Sequence, residues 1–198
     1  MTAAPHAIIL GGGIAGLSAA IGLRTAGYRV AVYEQAEAIA PLGAAISLWL
    51  NAMAALRALG AAARIETEAA PLTTMLLTTQ DGRPLMGPWP IDPARHGEGA
   101  YLPTRALVQA ALQEALGDQW LHLGRRAVSV DERNGIATAT FADGATIDAD
   151  LIVVADGIRS ATATALLANP PTPRGYGGVL ALSDAVDGPM LDGRAAEY

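Results

Sequence analysis

Cysteine is absent from this 198-residue chain. That excludes disulfides, thiolate nucleophiles and zinc–thiolate centres, and it agrees with a reducing compartment. Aromatic residues are scarce, at 5%. Basic residues are few and scattered: 13 stand against 19 acidic ones for a formal charge of −6, with no run of Lys or Arg. The electrostatic footprint of a nucleic-acid binder is therefore missing. Long hydrophobic blocks are missing too, because the positive mean hydropathy comes from alanine spread along the chain. The opening MTAAPHAIILGGG has no basic n-region, and its apolar run is too short for a signal or a membrane span. A cytoplasmic protein with neither nucleic-acid nor membrane partners is expected.

What the chain does have is enough length to bury one domain or one and a half. Residues 7–10 read as a short buried strand that ends in glycine. From Ile14 to Ala26 the apolar residues Ile14, Leu17, Ala20, Ile21 and Leu23 keep helical spacing until Gly27. YRVAVYE, 28–34, is a second strand ending in an acid. Strand, glycine turn, helix and strand within about thirty residues predict a βαβ unit with a parallel sheet.

Further along, NAMAALRALG (51–60) reads as a helix capped by Asn51, and PTRALVQAALQEALG (103–117) as one capped by Thr104. Between 71 and 99 a Thr-rich strand, an Asp81-Gly82 turn and four prolines mark an excursion. Residues 127–154 predict a β-meander with turns at Asn134-Gly135 and Asp143-Gly144, closing on the buried strand LIVVADG. NPPTPRGYGG reads as a linker, and VLALSDAV as the start of another strand.

Gly11, Gly13 and Gly16 satisfy G-x-G-x-x-G directly after a strand and at the head of a helix. In that context the first glycine allows the tight turn and the second lets backbone approach a pyrophosphate. The third lets the helix pack closely, so that its N-terminus faces the phosphates. Ala20 and Gly27 are expected to keep helix and strand close. Glu34 ends the second strand 18 residues after Gly16, where a carboxylate accepts the ribose hydroxyls of an adenosine and repels a 2′-phosphate. This favours FAD or NAD over NADP, and the fingerprint alone leaves FAD and NAD open.

Three further stretches carry a resemblance. GAAISLWLNAMAALRALG (43–60), YLPTRALVQAAL (101–112) and DADLIVVADGIRSATA (148–163) together resemble the group A flavoprotein monooxygenases, aromatic hydroxylases of the para-hydroxybenzoate hydroxylase type. Within that family, GAAIS followed by Trp49, and RGYGGVLALSDAV, look most like the FAD-dependent urate hydroxylases. Leu50 departs from the pattern, standing where a proline is usual, which would loosen that turn. The implied fold is α/β: a Rossmann-like FAD-binding βαβ domain with a β-meander, plus the beginning of a β-rich substrate domain. The expected division is 1–70 and 101–170 for the FAD-binding domain, and 71–100 and 171–198 for the partial substrate domain.

The resemblance implies that Arg105 reaches the cofactor and that Asp156 and Gly157 lie near the FAD pyrophosphate and the nicotinamide donor. The candidate cofactor-binding set is Gly11, Gly13, Ala15, Gly16, Glu34, Gln35, Ser47, Arg105, Val128, Asp156 and Gly157. Bland readings stand beside these: Arg105 as a solvated cation, Asp156 as a turn former, and Arg159 as the partner of a surface acid. His6, His96 and His122 lack metal spacing, Asp148 and Asp150 read as a solvated strand edge, and Trp49 and Trp89 as core or domain-interface residues. No catalytic side chain and no metal ligand are assigned.

The activity implied by the resemblance is hydroxylation of a small aromatic or heteroaromatic substrate through a flavin hydroperoxide, with FAD as cofactor, O2 as co-substrate and NAD(P)H as transient electron donor. Family members run to nearly twice this length, and no GDAAH-like stretch occurs here. The expectation is a shortened piece of a longer chain, or a natural half that assembles with a C-terminal partner chain or as a homo-oligomer. Such a piece would hold FAD weakly and expose an apolar sheet edge, with no turnover of its own. A non-catalytic dinucleotide-binding subunit and an NAD-dependent reductase are the alternatives.

Overall fold

Four consecutive apolar residues, Ala7 to Leu10, are 0–1% exposed. A run buried on both faces is the mark of a central parallel strand. In the computed structural model, which describes residues 3–39, 44–79, 81–168, 170–172, 174–175 and the backbone of 194–197, this run is the core of strand β1 (His6–Leu10). In chain order follow α1 (Ile14–Thr25), β2 (Arg29–Tyr33), α2 (Leu50–Ala58), α3 (Ala62–Glu68), β3 (Ala70–Leu72), β4 (Thr74–Thr78), β5 (Pro84–Pro90), α4 (Pro93–His96) and β6 (Ala100–Leu102). Then come α5 (Arg105–Leu116), β7 (Leu121–His122), β8 (Ala127–Arg133), β9 (Ile136–Phe141), β10 (Thr146–Ala149), β11 (Leu151–Val154), α6 (Ala161–Leu167) and β12 (Arg194–Glu197). The chain forms two compact units, residues 1–40 with 112–178 and residues 41–111 with 179–198.

In the first unit β11, β1, β2 and β7 form a parallel sheet in that order. Two layers cover it, and β1 alternates between them. Ile8 and Leu10 pack with Ala139, Phe141 and Ala149 of the meander. Ile9 lies on the α1 side, close to Gly16. The meander β8–β9–β10 is antiparallel, as its turns predict. Asn134 and Gly135 both take positive φ (55° and 79°), the requirement of a type I′ hairpin. Behind the second turn, Asp143 accepts from the Ala145 N–H.

Helix ends were partly legible. Thr104 caps α5, its Oγ1 accepting from Leu107 N–H at 3.1 Å. Asn51, the expected cap of α2, is instead inside the helix, which begins at Leu50 after the extended Trp49. The reason is tertiary: hydrogen bonds between Leu48 and Tyr101 hold the chain extended up to that point. Leu50 opens this helix without a proline, and the turn still closes through Met53 N–H to Trp49 O at 3.0 Å. Gly27 also has a different role from the one expected. A Cβ there would meet nothing within 4 Å, so it does not govern helix–strand spacing. Its φ of +92° serves the Schellman end of α1, with Tyr28 N–H bonded to Leu23 O and Gly27 N–H to Arg24 O.

The second unit has two small sheets. β4 lies between β12 and β5, and β3 pairs with β6. The prolines of β5 sit on an edge strand, where a missing N–H costs no ladder bond. Trp89 on that strand is 44% exposed, so it is not a core residue of its unit. Arg57 ties α2 to the rest by ion pairs with Glu66 and Glu98. The expected strand VLALSDAV, and most of the expected linker, lie outside the described residues.

The Arg57 guanidinium, donating at 2.8 Å, holds the Glu98 carboxyl below its ordinary range. A carboxylate depressed in the folded state stabilises above its unfolded pKa, and that contribution is lost as pH falls through the folded value. The expected outcome is that Glu98→Gln lowers the thermal midpoint at pH 7, and that the gap from the parent narrows as pH falls through and below the ordinary glutamate range. Melting curves across that range test it.

Candidate active site: a dinucleotide cavity

Parallel strands leave their carboxyl ends at one edge of the sheet, and a crevice opens where successive connections leave in opposite directions. Here β2 lies on one side of β1 and β11 on the other. A cavity of about 170 Å³ lies at that edge, lined in part by Gly11 and Gly13 after β1, Glu34 and Gln35 after β2, and Asp156 and Gly157 after β11. Six of the residues selected from the sequence are thus brought together.

The three glycines have different physical reasons. Gly11 has φ +108°, and a Cβ on it would stand 2.4 Å from Ala155 O. A Cβ on Gly16 would stand 1.9 Å from Gly11 O. Both positions are closed to side chains by the protein itself. Gly13 is different, since a Cβ there meets nothing within 4 Å. Its bareness leaves open space at the N-terminus of α1, where free N–H groups and the helix dipole favour an anion.

Glu34 is held by two backbone donors: Oε2 accepts from Gly12 N–H at 2.6 Å, and Oε1 from Ala36 N–H at 2.9 Å. Each oxygen keeps a further lone pair for a ligand. Gly12, an unspecified position of the G-x-G-x-x-G pattern, is therefore the residue that aims Glu34. A Cβ there would come within 3.1 Å of Glu34 Cβ. Across the cavity, Asp156 Oδ1 is buried with no hydrogen-bond partner among the described residues.

The far wall of the cavity was not selected from the sequence. Tyr33, Arg125, Arg126 and Ala127 line it. Tyr33 stacks on His122 (4.8 Å between centroids, 19° between planes) and tilts against Phe141 (4.9 Å). Burial pushes the Tyr33 phenol above its ordinary value, opposed by the Arg125 charge. Arg125 lies 4.8 Å above the Phe141 ring and pairs with Asp143 at 2.7 Å. The one available signal was that Arg125-Arg126 is the only adjacent pair of arginines in the chain.

The remaining candidates lie elsewhere. Ala15 and Gly16 are in the first turn of α1. Val128 is on β8, 42% exposed, one residue past Ala127. Ser47 and Arg105 belong to the second unit, where both are exposed. Ser47 lies between the bridging residues Ala45 and Leu48, and Arg105 N–H donates to Ala44 O. Arg159 is exposed beside Ile158 in a shallow hollow. Asp148 and Asp150 are exposed at the edge of the meander, as expected; there Asp148 accepts from Thr138 Oγ1 at 2.7 Å, and Asp150 accepts from His6 N–H at 2.7 Å. No group of His, Asp and Glu among the described residues could hold a metal ion, and no described helix is long and apolar enough to cross a membrane.

Comparison with known proteins decides between FAD and NAD. The FAD binding domain family matches residues 5–187. The chain belongs to this family. An FAD-dependent urate hydroxylase of Mycolicibacterium vanbaalenii is 35% identical over 194 residues, covering 93% of this chain and 49% of the relative. A 3-amino-4-hydroxybenzoate 2-monooxygenase of Streptomyces platensis is 35% identical over 175 residues, covering 87% and 44%. The crystal structure of Klebsiella pneumoniae HpxO complexed with FAD and uric acid has a TM-score of 0.74 at 31% identity, covering 85% of this chain and 43% of that one. The chain spans about half the length of the curated relatives it matches.

This FAD-binding domain has features that suit its cofactor. Gly13 leaves open space at the helix N-terminus, and the buried Asp156 oxygen has no hydrogen-bond donor among the described residues. Gly16→Ala should destabilise the unliganded fold by about 3 kcal/mol or more, because backbone has to move. Gly13→Ala should shift unfolding by under about 1 kcal/mol. Denaturant titrations of the two variants measure the contrast.

Proposed function

We propose that this chain holds the ADP moiety of FAD in the cavity at the ends of β1, β2 and β11. We further propose that it is the cofactor-holding part of an NAD(P)H- and O2-dependent monooxygenase acting on a small aromatic or heteroaromatic ring. The observation that carries the reading is the pairing of open space at Gly13 with two carboxylates, Glu34 and Asp156, around one cavity. The relatives' urate and aminohydroxybenzoate activities support the substrate class.

When bound, FAD supplies the redox chemistry with O2; the protein's own residues supply position. Backbone N–H groups at the start of α1 bind the pyrophosphate. Glu34, steadied by Gly12 and Ala36, accepts the ribose hydroxyls of the adenosine. Asp156 Oδ1 accepts a further hydroxyl or N–H, which removes the cost of an unsatisfied buried acceptor. Gly11 and Gly16 keep the loop closed beneath the ligand, with Ala15 and Gln35 beside it. Ser47, Arg105 and Val128 complete the proposed cofactor contacts. The reading includes a cytoplasmic location, and assembly with a C-terminal partner chain or a second copy of this one.

The test is titration of the purified chain with FAD, followed by flavin fluorescence. Glu34→Ala and Asp156→Ala should each weaken binding about tenfold, the effect of one hydrogen bond to a charged group. Gly13→Ala should weaken it at least as much while leaving the unliganded fold intact. A parent chain that takes up NADH but neither FAD nor ADP would make it a nicotinamide-dependent protein instead.

A further inference from the structure

A dinucleotide laid through this cavity has a set direction. Its pyrophosphate belongs at Gly13 and the N-terminus of α1, and its ribose at Glu34 after the neighbouring strand β2. The base must then lie beyond Glu34, toward β7 and the segment that follows it. There the cavity is lined by Gln35, Arg125, Arg126 and Ala127. A base held in a protein needs a flat partner for its face, which an aromatic ring or a guanidinium plane supplies.

The aromatic groups in this wall are already engaged. Tyr33 is stacked by His122 and flanked by Phe141, and the Phe141 ring is covered by Arg125. Arg125 is itself held by Asp143. Arg126 is the exception. Its side chain is exposed and has no hydrogen bond, ion pair or ring contact among the described residues. Its backbone is nevertheless fixed on both sides: Ala142 N–H donates to Arg126 O at 2.9 Å, and Arg125 N–H donates to Glu34 O at 2.8 Å. A rigid backbone thus presents an uncommitted cation at the base end of the cavity.

Resting on the FAD reading, we propose that Arg126 is the base-binding residue, its guanidinium plane lying on the face of the adenine ring. The interaction needs the plane of arginine as well as its charge, so lysine does not replace it. Gln35, which likewise has no side-chain hydrogen bond among the described residues, is an uncharged amide and contributes less.

The experiment is calorimetric titration of the full chain with 5′-ADP and with FAD, for the parent, Arg126→Ala, Arg126→Lys and Gln35→Ala. Thermal midpoints without ligand serve as the control for folding. Arg126→Ala should lose about tenfold in affinity for both ligands, with an unchanged midpoint. Arg126→Lys should be as weak as the alanine variant. Full recovery in Arg126→Lys would mean a phosphate contact and would overturn the assignment. So would parental affinity in Arg126→Ala, with the FAD reading left standing, or a larger loss in Gln35→Ala. A parent that binds neither ADP nor FAD would overturn both the assignment and the reading beneath it.

Discussion

The site depends on a close approach between two strand ends. Gly11, at the end of β1, lies so near Ala155, at the end of β11, that no side chain fits between them. Gly16 then sits on the Gly11 carbonyl, which brings the first turn of α1 down onto the same point. These two contacts bring β1, β11 and α1 together over a few ångströms. The helix N-terminus therefore faces open space at Gly13, and Asp156 faces the same cavity from the other side.

A second constraint orients the acid. Among the described residues it is the backbone that aims Glu34, through the Gly12 and Ala36 N–H groups. The segment after β7 is in turn fixed to this strand end, since Glu34 N–H bonds to His122 O, Gly124 N–H to Ala36 O and Arg125 N–H to Glu34 O. The single phenylalanine of the chain is used here, between Tyr33 and Arg125. In a protein so poor in aromatics, that concentration makes one firm wall beside the cavity.

Much of this was legible because its causes are local. A positive φ at Asn134-Gly135, a threonine cap at Thr104 and the alternation of β9 each depend on residues only a few positions apart. The errors arose where distant residues decide the outcome. Asn51 lost its cap role to the Leu48–Tyr101 bonds. Tyr33, Arg125 and Arg126 escaped notice because a short polar and aromatic segment carries no motif until a sheet brings it beside Glu34.

By itself the sequence determined that a glycine loop between a buried strand and a helix would meet an acid at the end of the next strand. It also determined that an Asp-Gly turn would follow a second buried run. These are consequences of φ requirements, burial periodicity and hydrogen bonding within one or two elements. Only the tertiary structure decided that Gly11 answers to Ala155, that Gly12 aims Glu34 and that two adjacent arginines close the cavity. Those pairings join residues from 22 to well over a hundred positions apart, and the order of strands in the sheet is what makes them neighbours.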